Sequence, residues 1–421
     1  MDKKLVNKIL ITLGFLLIFR LLAYVPTPGV DVEVIRSFFE SQKDNALGLY
    51  NMFSGNAVER LSIISLGIMP YITAAIIMEL LGAAFPELGK LKKERDGMQK
   101  YMQIVRYMTV GIALIQSIGV AMGITNLNQN GVAAVMADKT TFVALAAFSM
   151  TAGTMALLWI GEQITQKGIG NGTSLIIFGG IVAGIPNAIG ATIDLVNKGS
   201  MNILVLIAIV AIILATVGLI IYVELAERRV PVSYSRKVMI ESQNKRVMNY
   251  IPIKINLSGV IPPIFASALL MFPATILQPG VSDNAVLKAI GDFLTPDGYA
   301  FNALTFLLVI FFAYFYASIV FNPKDIAENL KRQGGFIPGV RPGQHSSEFL
   351  SEIASRLTLT GAIYLAIIST LPWVLVKLMG VPFYFGGTAV LIIVQVALDT
   401  MRKIEAQIYM SRYQTLSAVG L

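Results

Sequence analysis

The chain has 421 residues, of which 55% are hydrophobic and only 14% are charged, and its formal net charge is +8. Soluble globular proteins carry about 25% charged residues, so one or two soluble domains could not enclose this much apolar surface. The sequence has no cysteine and a single histidine, His345, which excludes disulfides, thiol catalysis and a histidine-based metal site. These numbers predict an integral membrane protein that needs no metal or cofactor.

Ten apolar segments come close to the length needed to cross a hydrocarbon core of about 30 Å, which takes about 20 helical residues. The basic start of the chain resembles a leader, but no small-residue cleavage site follows, so we predict a retained first span. The fifth and tenth segments are short, which indicates tilted or tightly packed helices. In chain order the predicted spans are Leu5–Ala23, Leu61–Leu81, Tyr101–Val120, Phe142–Ile160, Ser174–Ile189, Ile203–Val223, Ser258–Leu277, Ala303–Val320, Leu357–Leu378 and Phe385–Leu398.

The basic residues predict the orientation of these spans. With ten spans and a cytoplasmic amino terminus, 25 of the 33 basic residues fall on the inner side, as the positive-inside rule requires. Two inner loops are unusually long, Glu224–Asn256 and Phe321–Ser355. Basic loops beside a membrane are explained by topology or by contact with anionic lipid. Their length favours a second role, which is docking of a large cytoplasmic partner.

Helix breakers interrupt two of the predicted spans. Gly67 and Pro70 lie near the middle of the second span, and Pro262, Pro263 and Pro273 lie in the seventh. A proline removes a backbone hydrogen bond and kinks a helix, which lipid tolerates only where neighbours or water satisfy the freed carbonyl. Broken helices at corresponding places in two five-span halves indicate an inverted repeat around a central path.

The acidic residues argue against two alternative functions. Ionisable residues within membranes usually mark ion or proton routes, whereas here the acids of the spans fall toward the span ends: Glu79, Asp194, Glu224 and Asp399. An ion-coupled secondary transporter therefore remains only the second hypothesis. An intramembrane protease needs a Ser–His or paired-Asp site, and His345 falls in a polar, glycine-rich stretch that predicts a solvated loop. No nucleotide-binding Gly-rich loop with Lys-Ser/Thr is present, so energy has to come from a partner.

Six short motifs occur in the order found in one family of membrane proteins. They are Gly67–Ile72, Gly161–Thr165 with Gly168–Gly172, Gly259–Ala266, Phe321–Pro323, Pro338–Gly343 and Phe383–Thr388. Each is weak alone, but the ordered set is specific, and the chain is similar to the SecY/Sec61-alpha family of protein-translocation channels. The resemblance implies an all-α integral membrane protein with ten transmembrane helices. These would form two inverted-repeat halves, residues 1–200 and 201–421, in a clamshell around an hourglass pore.

The resemblance also implies a set of site residues. Six isoleucines would form the pore ring: Ile68, Ile72, Ile189, Ile193, Ile264 and Ile392. A plug, residues 51–62, would fill the outer funnel when the channel is idle, with its core at Asn51, Met52, Phe53, Ser54, Gly55, Asn56, Ala57, Val58, Glu59 and Arg60. A lateral gate between the second and third spans and the seventh and eighth would release membrane segments, with seam candidates Thr73, Ile76, Ala268, Leu269 and Phe272.

Partners are implied in the same way. Arg341 lies at the tip of the loop between the eighth and ninth spans, where the resemblance implies docking of the SecA ATPase or a ribosome, with Lys245 and Arg246 as second contacts. A small clamp subunit, SecE, and usually SecG are implied beside the phospholipid bilayer and the secretory and membrane-protein polypeptides in transit. The implied location is the bacterial plasma membrane, with both termini cytoplasmic and no catalytic residues.

Overall fold

The computed structural model describes residues 3–41, 55–125, 128–129, 132–133, 135, 138–199, 202–234, 249–276, 298–379 and 387–418. Most of them are helical. We number the helices α1 Lys3–Leu22, α2 Val32–Ser41, α3 Met69–Ala84, α4 Pro86–Lys93, α5 Arg95–Thr125, α6 Lys139–Lys167, α7 Gly172–Asn197, α8 Ile203–Leu225, α9 Ile261–Ile276, α10 Tyr299–Val320, α11 Pro323–Arg332, α12 Gln344–Met379 and α13 Gly387–Ala418.

Within the described ranges, six helical segments are long and apolar enough to cross a membrane, and three shorter apolar helices accompany them. Five of the six lie in α1, α5, α6, α8 and α12, the remaining one, Tyr299–Arg332, covers α10 and α11, and the shorter ones lie in α3, α7 and α9. This supports a multi-pass membrane protein. The count of ten spans stays a prediction.

The second predicted span is wrong at its start. Residues 62–68 form turns, and α3 begins only at Met69. Gly67 has φ +58°, a left-handed conformation that glycine adopts readily. Pro70 stands in the first turn of α3, and Pro262 and Pro263 stand in the first turn of α9. A proline at a helix start breaks no hydrogen bond, so these prolines begin their helices instead of kinking them.

Other helices are longer than their apolar segments predicted. The fifth predicted span lies in the 26-residue α7, which has Pro186 inside it, and the described part of the tenth, from Gly387 on, lies in the 32-residue α13. The ninth lies in the 36-residue α12, which starts at Gln344. His345 is therefore an exposed residue of the first helical turn rather than a loop residue. The length of an apolar segment predicts only the part of a helix that lies in the hydrocarbon core, and polar turns can extend the helix beyond it.

Short antiparallel strands occur mainly in the two long loops. The strands are β1 Asn128–Gln129, β2 Val132–Ala133, β3 Glu227–Pro231, β4 Ser233–Tyr234, β5 Tyr250–Lys254 and β6 Gly335–Phe336. β3 pairs with β5 inside the first long loop, and β4 pairs with β6 of the second. The buried side chains of both loops form a separate small core: Val230, Val232, Ile253, Leu330, Ile337 and Leu350. The two loops therefore form one folded platform, the loop platform, instead of two free loops.

Helices from the first part of the chain meet helices from the second along two lines. α9 packs against α3 and α5, and α13 packs against α7 and α1. Within each part, neighbouring helices pack in sequence, such as α5 with α6 and α10 with α9 and α12. One apolar core, contributed by both parts, runs through the bundle.

Candidate functional site

Four of the six predicted ring isoleucines are buried in the shared apolar core. Ile68 and Ile72 stand at the start of α3, Ile264 on α9 and Ile392 on α13, and each side chain is buried. Ile68 and Ile72 are spaced i, i+4 and share one helix face. Ile189 and Ile193 on α7 share a face in the same way but are 54% and 51% exposed and do not belong to this core. The structure thus buries four ring candidates in one core and leaves the other two exposed.

The chemistry of such a cluster is that of an apolar seal. Branched apolar side chains at a constriction exclude water and ions by dewetting. They offer no fixed polar geometry that would select or reject one peptide sequence.

The structure describes only part of the predicted plug. Asn51, Met52, Phe53 and Ser54 lie outside them. The remaining candidates form a compact turn with a short 3-10 helix at Val58–Arg60. Ala57, Val58 and Leu61 are buried in the same apolar core as the four buried ring candidates. The described part of the plug segment is a tight turn packed into the bundle.

Backbone hydrogen bonds tie the end of this turn to the residues after α1. Thr27 N donates to Leu61 O at 2.8 Å, and Ile63 N donates to Val25 O at 3.0 Å. The Ser62 hydroxyl donates to Leu22 O at 2.8 Å. The end of the plug segment is thereby anchored to the carboxyl end of α1.

The predicted gate residues lie on the helices that form the seam between α9 and α3. Thr73 and Ile76 of α3 and Ala268 of α9 are buried, whereas Leu269 is 37% exposed. Phe272 belongs to α9, but its side chain lies outside the described residues. α9 packs against α3, so these candidates belong to two helices that are in contact.

Aromatic contacts fix α9 to α10 on the other side. The Phe265 ring of α9 lies edge-to-face against Phe312, with centroids 5.7 Å apart, and against Tyr316 at 6.4 Å. Such pairs contribute about 0.5–1.5 kcal/mol beyond burial. α9 and α10 therefore form one unit. The seam runs between this unit on one side and α3 and α5 on the other.

The predicted docking arginine stands on a rigid turn of the loop platform. Arg341 is exposed, and its carbonyl accepts a hydrogen bond from the Ser346 hydroxyl at 3.0 Å. Val340 N donates to Ile337 O at 3.1 Å, with Gly339 at φ +86° in the turn. Lys245 and Arg246 lie outside the described residues. A guanidinium on such a turn offers fixed donors to carboxylate or phosphate.

A polar cleft of about 660 Å³ opens between α5, α6 and the start of α7. Its lining is rich in amide side chains: Gln99, Gln103, Gln166 and Asn171. Arg106 and Glu162 form an ion pair in its wall, with three N–O distances between 2.8 and 3.0 Å. Because Lys167 and the basic segment 90–100 adjoin this end of the bundle, the cleft opens on the side that carries the basic loops.

One polar cluster was missed by sequence reasoning, which placed Glu224 only at a span end. Glu224 is 5% exposed and accepts hydrogen bonds from Asn256 Nδ2 at 2.5 Å and from Gln395 Nε2 at 3.2 Å. Arg402 donates to the Glu224 carbonyl at 3.1 Å. The cluster joins α8, the approach to α9 and α13. The sequence did hold a signal for this cluster: Glu224 follows directly on an apolar segment, and Asn256 stands just before the next predicted span.

No group of three metal-binding side chains occurs among the residues that the structure describes.

A family model described as SecY matches residues 62–401. The chain belongs to the SecY family. Its similarity to a protein translocase subunit SecY from Helicobacter pylori is 68% identity over 420 residues, covering 100% of both chains. The corresponding subunit of Escherichia coli is 40% identical over 420 residues, covering 98% of this chain and 94% of that one.

Solved structures show the same fold at low sequence identity. One described as a protein conducting channel has a TM-score of 0.67 at 16% identity, covering 96% of this chain and 93% of the other. Canine Sec61 in a ribosome–channel complex has a TM-score of 0.64 at 15% identity, covering 96% and 93%. The mostly helical channel fold predicted from the sequence is therefore confirmed. The roles of individual residues in this SecY-family chain stay predictions.

Proposed function

We propose that the protein is the pore-forming channel subunit through which unfolded secretory polypeptides cross the bacterial plasma membrane. Membrane segments would leave it sideways through the seam between α3 and α9. The full-length similarity to protein translocase subunits SecY carries this proposal. The burial of Ile68, Ile72, Ile264 and Ile392 in one apolar core supports it, because an apolar collar formed by these residues would suit a path for polypeptides of any sequence.

The seal is completed in this proposal by two further features. The plug segment contributes Ala57, Val58 and Leu61 to the same apolar core as the collar residues. Ile189 and Ile193 supply the α7 side of the ring, and their exposure fits side chains that line an open funnel. Residues 1–200 and 201–421 act as the two halves of the clamshell, and their contacts along α9 and α13 are the lines at which it can open.

The channel itself catalyses no reaction in this proposal, and a partner supplies the energy. SecA or a translating ribosome docks on the loop platform through Arg341, with Lys245 and Arg246 as second contacts, while SecE and SecG complete the channel. The orientation has both termini in the cytoplasm, since this places 25 of 33 basic residues inside. The basic platform and the polar cleft then face the compartment from which polypeptides enter.

The test reconstitutes the chain with SecE, SecG and SecA in lipid vesicles and follows ATP-dependent protection of a secretory precursor from protease. Arg341→Glu should reduce protection strongly. Lys331→Glu makes the same charge change at the end of α11 and should have a smaller effect. Absence of protection with the unaltered chain, together with solute uptake driven by an ion gradient, would establish a secondary transporter instead.

A further inference from the structure

One arginine in the first span has no role in the proposed path. α1 carries Lys3, Lys4 and Lys8 at its start and then no charged residue until Arg20 in its last turn. An arginine at the end of an apolar helix usually extends its head toward water. Here the half-buried side chain turns to the plug segment, and Arg20 Nη1 lies 2.6 Å from the carbonyl oxygen of Gly55.

The acceptor of this hydrogen bond is held in place from the opposite side. Gly55 is buried and has φ +72°. A Cβ at this position would come within 3.1 Å of the Gly180 Cα on α7, so the backbone of the plug segment lies directly against that helix. Arg20 therefore clamps the segment between α1 and α7.

A second contact lies next to the first. The Arg60 guanidinium lies over the Tyr24 ring, 4.1 Å from its centroid, and Arg20 approaches the same ring at 5.4 Å. The pKa of the Tyr24 phenol is lowered, first by a hydrogen bond with Arg60 and then by the positive charges of Arg20 and Arg60. Tyr24 is exposed, so this contact lies at the rim while the Arg20 contact lies further in.

The two ends of the described plug segment are thus held differently. Residues 61–63 are anchored by backbone hydrogen bonds to Val25 and Thr27, which follow α1. Gly55, at the other end, receives a side-chain hydrogen bond from Arg20. A side-chain bond can break while the backbone pairing at 61–63 stays intact, so the anchored end can serve as the hinge.

We propose that Arg20 is a positioning residue that latches the plug segment in the closed channel through its hydrogen bond to the Gly55 carbonyl. The inference rests on the proposed function and adds the residue that holds the closed state. A hydrogen bond from a charged donor is stronger than a neutral one. Because Arg20 is only half buried, we expect its loss to raise the open fraction about tenfold.

The experiment uses the absence of native cysteine. Val58→Cys places one thiol at a buried position of the plug segment, and Val309→Cys places one at a buried position of α10 as the matched control. Each is combined with Arg20→Gln, Arg20→Lys or Lys198→Gln in the complex with SecE and SecG. The vesicles contain no SecA and no precursor, and a membrane-impermeant thiol reagent is added on the outer side.

Arg20→Gln should raise the labelling rate at residue 58 about tenfold. Arg20→Lys should raise it less, because the ammonium keeps a charged donor whereas the glutamine amide is a neutral one. Lys198→Gln should leave it unchanged, because this exposed residue follows the end of α7. Equal labelling of residue 58 with and without Arg20 would overturn the latch. So would a parallel rise at residue 309, which would indicate general loosening. Failure of precursor transport in the unaltered chain, with the labelling pattern intact, would count against the proposed function alone.

Discussion

The carboxylate of Glu224 accepts a hydrogen bond from the side-chain amide of Asn256 at 2.5 Å, and Asn256 Oδ1 in turn accepts from Gly259 N at 3.0 Å. This chain of bonds connects the end of α8 to the start of α9. Since α9 is the helix that forms the seam with α3, the buried pair sets where one side of the candidate gate begins.

Removing the amide should therefore destabilise the protein. Asn256→Ala leaves a buried carboxylate without its shortest partner, and we expect a loss of about 2–4 kcal/mol. Gln395→Ala removes the longer bond and should cost less. The midpoint of thermal unfolding of the purified protein in detergent measures both changes. An equal or greater loss for Gln395→Ala would contradict this ranking.

A close backbone contact predicts the effect of a single methyl group. A Cβ on Gly153 of α6 would collide with the carbonyl oxygen of Ile63, which belongs to the turns before α3. Gly153→Ala should therefore displace those turns and lower stability by more than about 1 kcal/mol. Gly111→Ala on α5 meets no atom within 4 Å and should be neutral or stabilising, by up to about 1 kcal/mol. The thermal midpoint of Gly153→Ala should fall and that of Gly111→Ala should stay or rise, and a matching fall for both would contradict the contact.

The seal of the collar can be tested by ion leak. Ile264→Asn puts an amide into the buried cluster and should raise the resting conductance of reconstituted channels, because a polar group lets water enter the constriction. Ile207→Asn introduces the same group on α8, where the side chain is 60% exposed, and should leave conductance unchanged. Single-channel or bulk current recordings distinguish the two. An unchanged conductance for Ile264→Asn would remove this residue from the seal.

The small core of the loop platform should be as sensitive as an ordinary protein core. Leu350 is fully buried between the two loops, and Leu350→Ala should cost about 2–4 kcal/mol. The loss should appear as faster hydrogen exchange in β3 and β5. Leu359→Ala, nine residues further along α12 and 48% exposed, should leave exchange in these strands unchanged. If neither variant changed the hydrogen-exchange rate in β3 and β5, the pairing of these strands would not depend on this core.

The ion pair in the wall of the polar cleft should contribute little. Arg106 and Glu162 are 44% and 20% exposed, so solvent screens their attraction. A double-mutant cycle with Arg106→Ala and Glu162→Ala should give a coupling energy of about 0.5–1 kcal/mol. A coupling energy several times larger would show that the cleft excludes water more than its exposure indicates.

The sequence by itself determined that the protein is a helical membrane protein, because apolar composition and segment length report directly on the solvent that a chain requires. Its ordered motifs also identified the family. Positions of helix ends were less predictable. Pro70 and Pro262 were read as kinks, whereas each stands in the first turn of a helix. Proline fixes the local backbone geometry equally in both settings, and only the neighbouring turns decide which one applies.

The tertiary structure decided which distant residues meet. Four ring candidates share one core while Ile189 and Ile193 do not, because the burial of an isoleucine depends on the helices around it and not on its own residue type. The loop platform, the Glu224–Asn256 pair and the bond from Arg20 to Gly55 likewise join residues 32 to more than 100 positions apart. Hydropathy and charge are local properties of a sequence, whereas these contacts exist only once the helices have packed.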